Sequence, residues 1–160
     1  MLGFSFLNRW SSRRSEPYSI IKLFSTLTVR ELREIVSVLH NRSYVEGEVV
    51  FDQDEVGQAV YFVLDGGVTL RRTLADGQRV LARIGKGEAF GTLALLVDEP
   101  RVAQAVAQTD CRLAILFRSD LHRLMETRVS AAGKLSLEVA RHLARILRNV
   151  ALHAERAVDI

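Results

Sequence analysis

Cysteine is nearly absent from this chain: Cys111 is the single one among 160 residues. That excludes an intramolecular disulfide and a cysteine-rich zinc site. Long apolar runs are missing as well, and no stretch approaches the roughly 18–20 residues that cross a bilayer. The opening MLGFSFLNRWSSRR places its basic cluster after the apolar part, the reverse of a secretory leader. These absences predict a cytoplasmic protein. Charge of one sign is not in excess either, with 22 Lys+Arg against 19 Asp+Glu and a net charge of +3. So small a surplus does not mark a nucleic-acid binder. What is present is ordinary globular material, 48% hydrophobic and 26% charged, in a length that suits one buried core.

The first 17 residues differ from the rest. Leu2, Phe4, Phe6, Leu7 and Trp10 stand beside Arg9, Arg13 and Arg14. Rings next to arginines suit a membrane interface, with Phe4, Phe6 and Trp10 at headgroup level and the charges near anionic lipid. The alternative is a tail that packs on its own domain or stays loose. Residues 18–160 read as one domain: helices over 18–40, strands over 41–117 and C-terminal helices over 118–158. Ile20, Ile21, Phe24 and Leu27 lead into Thr28-Val29-Arg30-Glu31, a helix cap with its acidic residue three positions on. Leu32, Ile35, Val36 and Leu39 then mark one helical face.

Beyond His40 the period becomes two. Apolar segments recur at 44–45, 49–51, 60–64, 68–74 and 80–84, separated by Glu46-Gly47, Gly66-Gly67, Asp76-Gly77 and Gly85-Lys86-Gly87. Asp76-Gly77 predicts a hairpin turn, and further strands are expected at 102–108 and 112–117. Short antiparallel strands at this spacing predict a small barrel or jelly roll, mainly β with flanking helices. A short helix follows from Ser119-Asp120 to about Glu126, then a long one from about Ser130 to Ala157. The long helix carries Leu135, Val139, Leu143, Ile146, Leu147, Val150 and Ala154 along one side. At some 25 residues it spans about 38 Å, more than so small a barrel covers. The surplus stripe, Leu135, Val139, Leu143, Ile146 and Val150, is expected at the interface of a homodimer, unless it packs wholly on its own barrel.

The most informative stretch is Gly87-Glu88-Ala89-Phe90-Gly91-Thr92-Leu93-Ala94-Leu95-Leu96, followed by Pro100-Arg101-Val102-Ala103-Gln104. A glycine turn leads into one helical turn near Gly91–Thr92, whose free backbone N–H groups suit an anionic oxygen. Arg101 opens the next strand, where its forked guanidinium would complete a phosphate clamp. Its alternative is a strand-end arginine paired with Asp98 or Glu99.

With these residues in view, the segment from Leu23 to Val150 resembles the cyclic-nucleotide-binding domain of catabolite activators, kinase regulatory subunits and cyclic-nucleotide-gated channels. The family cassette runs Phe-Gly-Glu-Leu/Ile-Ala-Leu, then Arg-Ser/Thr-Ala-Ser/Thr. Here it reads Phe90-Gly91-Thr92-Leu93-Ala94-Leu95, then Arg101-Val102-Ala103-Gln104. Gly47-Glu48-Val49-Val50-Phe51, Val60 to Val68 and Cys111 to Leu116 match further strands. The resemblance implies a ligand site at Phe90, Gly91, Thr92, Leu93, Ala94, Arg101, Val102 and Ala103, with cAMP or cGMP as the ligand and no other cofactor or metal. Two departures bear on affinity. The glutamate that accepts from the ribose 2′-hydroxyl is Thr92, and the hydroxyl residue that meets the phosphate is Val102. Together they forfeit roughly 2–4.5 kcal/mol, or about 30- to 2,000-fold. Asp54 also stands where a glycine is usual.

Other chemistry is disfavoured. His40, His122, His142 and His153 all fall in predicted helices, whereas metal enzymes on jelly rolls carry histidines on strands. No Ser/His/Asp spacing suggests a nucleophile, so no enzyme is expected. Family transcription factors carry a recognition helix after the long helix, and the chain ends at Ile160, so DNA binding is not expected. Two functions remain. One is a dimeric sensor that binds a cyclic nucleotide or related phosphate and signals to a protein partner through its C-terminal helices. The other is a ligand-independent scaffold that docks to a membrane or partner through its tail.

Overall fold

Alternation gives each strand two faces, and in this protein both faces of one sheet are covered. The computed structural model describes residues 15–158, with side chains through His153. The N-terminal tail up to residue 14, where a membrane or partner contact through Phe4, Phe6 and Trp10 is expected from the sequence, lies outside the described residues. Eight strands appear in order: β1 (His40–Tyr44), β2 (Val49–Phe51), β3 (Ala59–Asp65), β4 (Val68–Leu74), β5 (Gly77–Ile84), β6 (Ala89–Phe90), β7 (Gln104–Ala107) and β8 (Cys111–Phe117). They form two antiparallel sheets of four, ordered β1-β8-β3-β6 and β2-β7-β4-β5. This is the mainly β jelly roll with flanking helices that the alternating segments predict. The expected hairpin is present: Leu74 pairs with Gly77, which takes φ +124°. Positive φ at that point is what a glycine supplies without strain.

Along β3 the alternate residues divide between two cores. Val60, Phe62 and Leu64 join Ile35, Leu116, Leu121, Leu135 and Val139 under the helices. Val63 joins Phe51, Val68, Phe90 and Leu113 inside the barrel, with Tyr61 packed at that core's edge.

The N-terminal helical segment is more broken than its periodicity predicts. Two 3-10 turns, Glu16–Tyr18 and Lys22–Phe24, precede helix α1 (Val29–Val36). The capping box forms as expected: Glu31 N–H donates to Thr28 Oγ1 at 3.3 Å, and Thr28 N–H donates to the Glu31 carboxylate at 2.8 Å. His40, expected in a helix, is instead the first residue of β1, paired with Ile115. The helix stops at Val36, where the amides of Val38 and Leu39 tighten onto the carbonyls of Ile35 and Val36. The chain is then free to extend.

Glu31 also accepts from Lys134 Nζ at 2.8 Å and Ser130 Oγ at 2.6 Å, tying α1 to the C-terminal helix. These donors, Lys134 foremost, hold its carboxyl down at about 2 instead of 4.5. A depressed native pKa contributes stability that is present above about pH 4.5 and lost as pH falls toward 2. Across that window the melting temperature of Glu31→Gln is expected to fall less steeply than that of the wild type. Parallel acid limbs in a pH series of thermal melts would refute this role for Glu31.

Two helices end the chain, α2 (Arg118–Thr127) and α3 (Val129–Val158), joined at Arg128. The stripe expected at a dimer interface divides along α3. Leu135 and Val139 are fully buried in their own chain's core, which corrects their assignment to a partner-facing surface, while Leu143 is half-buried against that core. The barrel's helical layer covers that first part of α3. Ile146 and Val150 lie beyond it and are 46% and 61% exposed.

Candidate functional site

The site begins where β6 ends. Phe90 is buried and stacks on Tyr61, with ring centroids 5.2 Å apart and planes 14° from parallel. Gly91 then takes φ +72°, in the left-handed region, and starts the 3-10 turn Thr92–Leu95. Within the turn Ala94 N–H donates to Gly91 O at 3.2 Å. The amides of Thr92 and Leu93, first in the turn, have no acceptor within it. Thr92 is buried at 5% exposure and Ala94 is buried beside it, whereas Leu93 is exposed.

Arg101 lies across this turn. Its backbone is fixed on both sides, by Arg101 N–H donating to Glu55 O at 2.7 Å and Asp54 N–H donating to Arg101 O at 2.9 Å. The side chain turns inward and is 8% exposed. Nη2 donates to Ala59 O at 2.7 Å and Nη1 to Gly91 O at 3.1 Å. The guanidinium carbon sits 4.0 Å from the Phe51 ring centroid and 5.7 Å from that of Tyr61. Two glycines make the room. A Cβ on Gly91 would come within 2.5 Å of Nη1, and one on Gly57 within 3.1 Å of the guanidinium carbon.

The electrostatics follow from this burial. No carboxylate among the described residues pairs with Arg101. Asp98, its suggested partner, binds Arg118 Nη2 at 2.9 Å instead. Desolvation pulls the Arg101 pKa down, opposed by Tyr61 and Glu55, and pushes the Tyr61 phenol up. Two of the five guanidinium N–H groups are spent on carbonyls and the ring faces attract the cation. The remaining donors and the net positive charge are what an anion would complete.

Around this centre the other expected residues separate. Ala103 is buried, but Val102 is 59% exposed and brings no hydroxyl to the clamp. Phe51, Tyr61, Gly57 and Ala59 belong to the site although motif reading passes them over as strand and turn residues. Their signal is the period of two: Tyr61 and Val63 share the barrel-facing side of β3, opposite Phe62.

Asp54 adopts φ +68°, a conformation that costs an L-residue about 1–2 kcal/mol. Set against the greater unfolded freedom of glycine, Asp54→Gly is expected to raise stability by roughly 0.5–1 kcal/mol. Chemical denaturation checks this, and an unchanged or lower midpoint would contradict it.

The same stretch matches a family model. The model described as the cyclic nucleotide-binding domain aligns with residues 41–128, more than half of the chain. The chain belongs to that family. It is 40% identical over 122 residues to the cyclic AMP receptor protein of Thermus thermophilus, covering 76% of this chain and 56% of that protein. It is 34% identical over 123 residues to a cAMP-dependent protein kinase regulatory subunit of Mycosarcoma maydis, covering 72% of this chain and 23% of the relative. Among solved structures, the Thermus thermophilus catabolite activator protein superposes with a TM-score of 0.77 at 37% identity, over 85% of this chain and 62% of that one. The cyclic nucleotide-binding domain thus spans only part of these relatives' length. Among the described residues, no helix is long and apolar enough to cross a membrane.

Proposed function

We propose that this domain is a regulatory sensor that takes a cyclic nucleotide, or a related phosphate ester, on the Thr92 and Leu93 amides and the Arg101 guanidinium. The observation that carries the reading is Arg101 itself. It is a buried cation without a carboxylate partner among the described residues, held by carbonyls from β3 and from the residue that starts the cassette turn. Likeness to a cAMP receptor protein and a cAMP-dependent kinase subunit supports cAMP as the first ligand to test.

Transmission has a physical route. Leu95 of the cassette turn lies in the same packed core as Leu121 and Leu124 of α2 and Leu135 and Val139 of α3. A phosphate that drew Arg101 from the Gly91 carbonyl would reposition the turn, and a close-packed core passes that shift to the helices. The ligand moves the helices only by as much as its affinity differs between their two arrangements. The exposed Ile146 and Val150 are then the surface for a twin copy or an output partner.

A ligand-independent scaffold is the second reading. It is favoured by Thr92 and Val102, which remove a carboxylate and a hydroxyl from the expected contacts. Isothermal titration with cAMP and cGMP up to millimolar concentration separates the two. Saturable binding below about 100 μM supports the sensor. Absence of heat at millimolar ligand leaves the scaffold.

A further inference from the structure

Away from the nucleotide cassette, a cleft of about 560 Å³ opens between α1 and α2. Arg30 and Arg33 of α1, Arg123 of α2 and Arg128 at the α2–α3 junction line it, with Glu34 the only acid among the described lining residues. A second hollow of about 390 Å³ shares Arg30, Glu34 and Arg128, and contains Glu31, whose charge is engaged by Lys134. The two together make an elongated basic groove.

The internal pairing leaves this groove under-neutralised. Glu34 serves both Arg30 at 3.4 Å and Arg128 at 3.7 Å. Arg123 pairs with Asp120, which lies outside the lining. Arg33 has no ion pair among the described residues, and its Nε is buried without a hydrogen-bond partner. Its guanidinium charge, unpaired among the described residues and only partly buried, is open to an anion in the groove. Four guanidiniums against Glu34 and Asp120 leave two positive charges in excess. A forked guanidinium matches phosphate oxygens in pairs. The volume falls in the range of about 300–1,000 Å³ typical of small-molecule sites and exceeds what one phosphate fills.

We infer that this groove is a second anion site, independent of the cassette, for a small molecule bearing two or more phosphoryl groups. Arg33 is its central donor and Arg30, Arg123 and Arg128 surround it. Its walls are α1, α2 and the α2–α3 junction, so an occupant bridges the N-terminal helix to the elements proposed above to carry the output.

The test is titration of the full chain with sodium pyrophosphate at fixed ionic strength, with sodium sulfate as the matched comparison. Saturable pyrophosphate binding is expected, weakened about tenfold or more by Arg33→Gln and less by Arg33→Lys. Arg101→Ala is expected to leave it unchanged. Circular dichroism establishes that each variant is folded, and Arg128→Gln, at the more exposed junction, replaces Arg33→Gln if that variant is not. The inference is overturned by no saturable heat at about 10 mM pyrophosphate, by equal binding of sulfate, or by an affinity indifferent to both arginine variants. Loss of binding in Arg101→Ala would assign the pyrophosphate to the cassette. Binding of an Asp/Glu-rich peptide in place of pyrophosphate would assign the groove to a protein partner, and this too overturns it. Failure of cAMP to bind leaves this result unaffected.

Discussion

Arg101→Ala is expected to weaken cAMP binding by about 150-fold or more. A guanidinium clamp on a phosphate supplies two charge-assisted hydrogen bonds at about 1.5–3 kcal/mol each. The lower sum, about 3 kcal/mol, corresponds to about 150-fold. The substitution also removes the donors to Ala59 O and Gly91 O, so the cassette turn loses one of its ties to β3. Arg101→Lys separates the two effects. It keeps the charge but gives up the fork, and an intermediate affinity is expected. Titration calorimetry beside thermal melts is the measurement. An Arg101→Ala affinity within about threefold of wild type would place the phosphate elsewhere and remove the basis of the sensor reading.

The second large effect runs in the opposite direction. Thr92→Glu combined with Val102→Ser is expected to tighten cAMP binding by about 30- to 2,000-fold. The glutamate restores a charged acceptor for the ribose hydroxyl and the serine restores a donor for the phosphate, as the family resemblance implies. Thr92 lies buried at the start of the cassette turn, whereas Val102 follows Arg101 in sequence and is exposed, so the larger share of the gain is expected from Thr92→Glu. If the double variant gains cAMP affinity that the wild type lacks, the native pocket is a lapsed or altered form of the family site. An affinity that barely moves would mean other walls of the pocket decide, Phe51 and Tyr61 among them.

Local features of this fold were legible because local chemistry determines them. Thr28 and Glu31 sit three residues apart and close a capping box whatever surrounds them. Asp76-Gly77 makes its hairpin because Gly77 accepts positive φ. Gly91 starts the cassette turn for the same reason. Non-local partners were not legible. The periodicity of α3 shows that Leu135, Val139, Ile146 and Val150 share a side, but the end of the covering surface decides which of them meet their own core. His40 follows a helical pattern in sequence and pairs in β1 because the helix has already closed on Ile35 and Val36. At the site, the need for an arginine was readable. Its inward turn onto Gly91 and Ala59 depends on space left by Gly57, more than forty residues away in sequence. The groove around Arg33 gathers residues from opposite ends of the chain, and no single segment announces it.

The division of α3 has a mechanical consequence. Its first portion is gripped by the core through Leu135 and Val139, with Leu143 packed against the same core, whereas about 15 residues extend beyond Leu143 to Val158. At 1.5 Å per residue, that arm measures roughly 22 Å. A tilt of about 10° at the grip would therefore sweep its tip through roughly 4 Å. The grip is thus a fulcrum. A rotation of the buried portion becomes, at the far end of a stiff rod, a displacement large enough for a neighbouring molecule to distinguish.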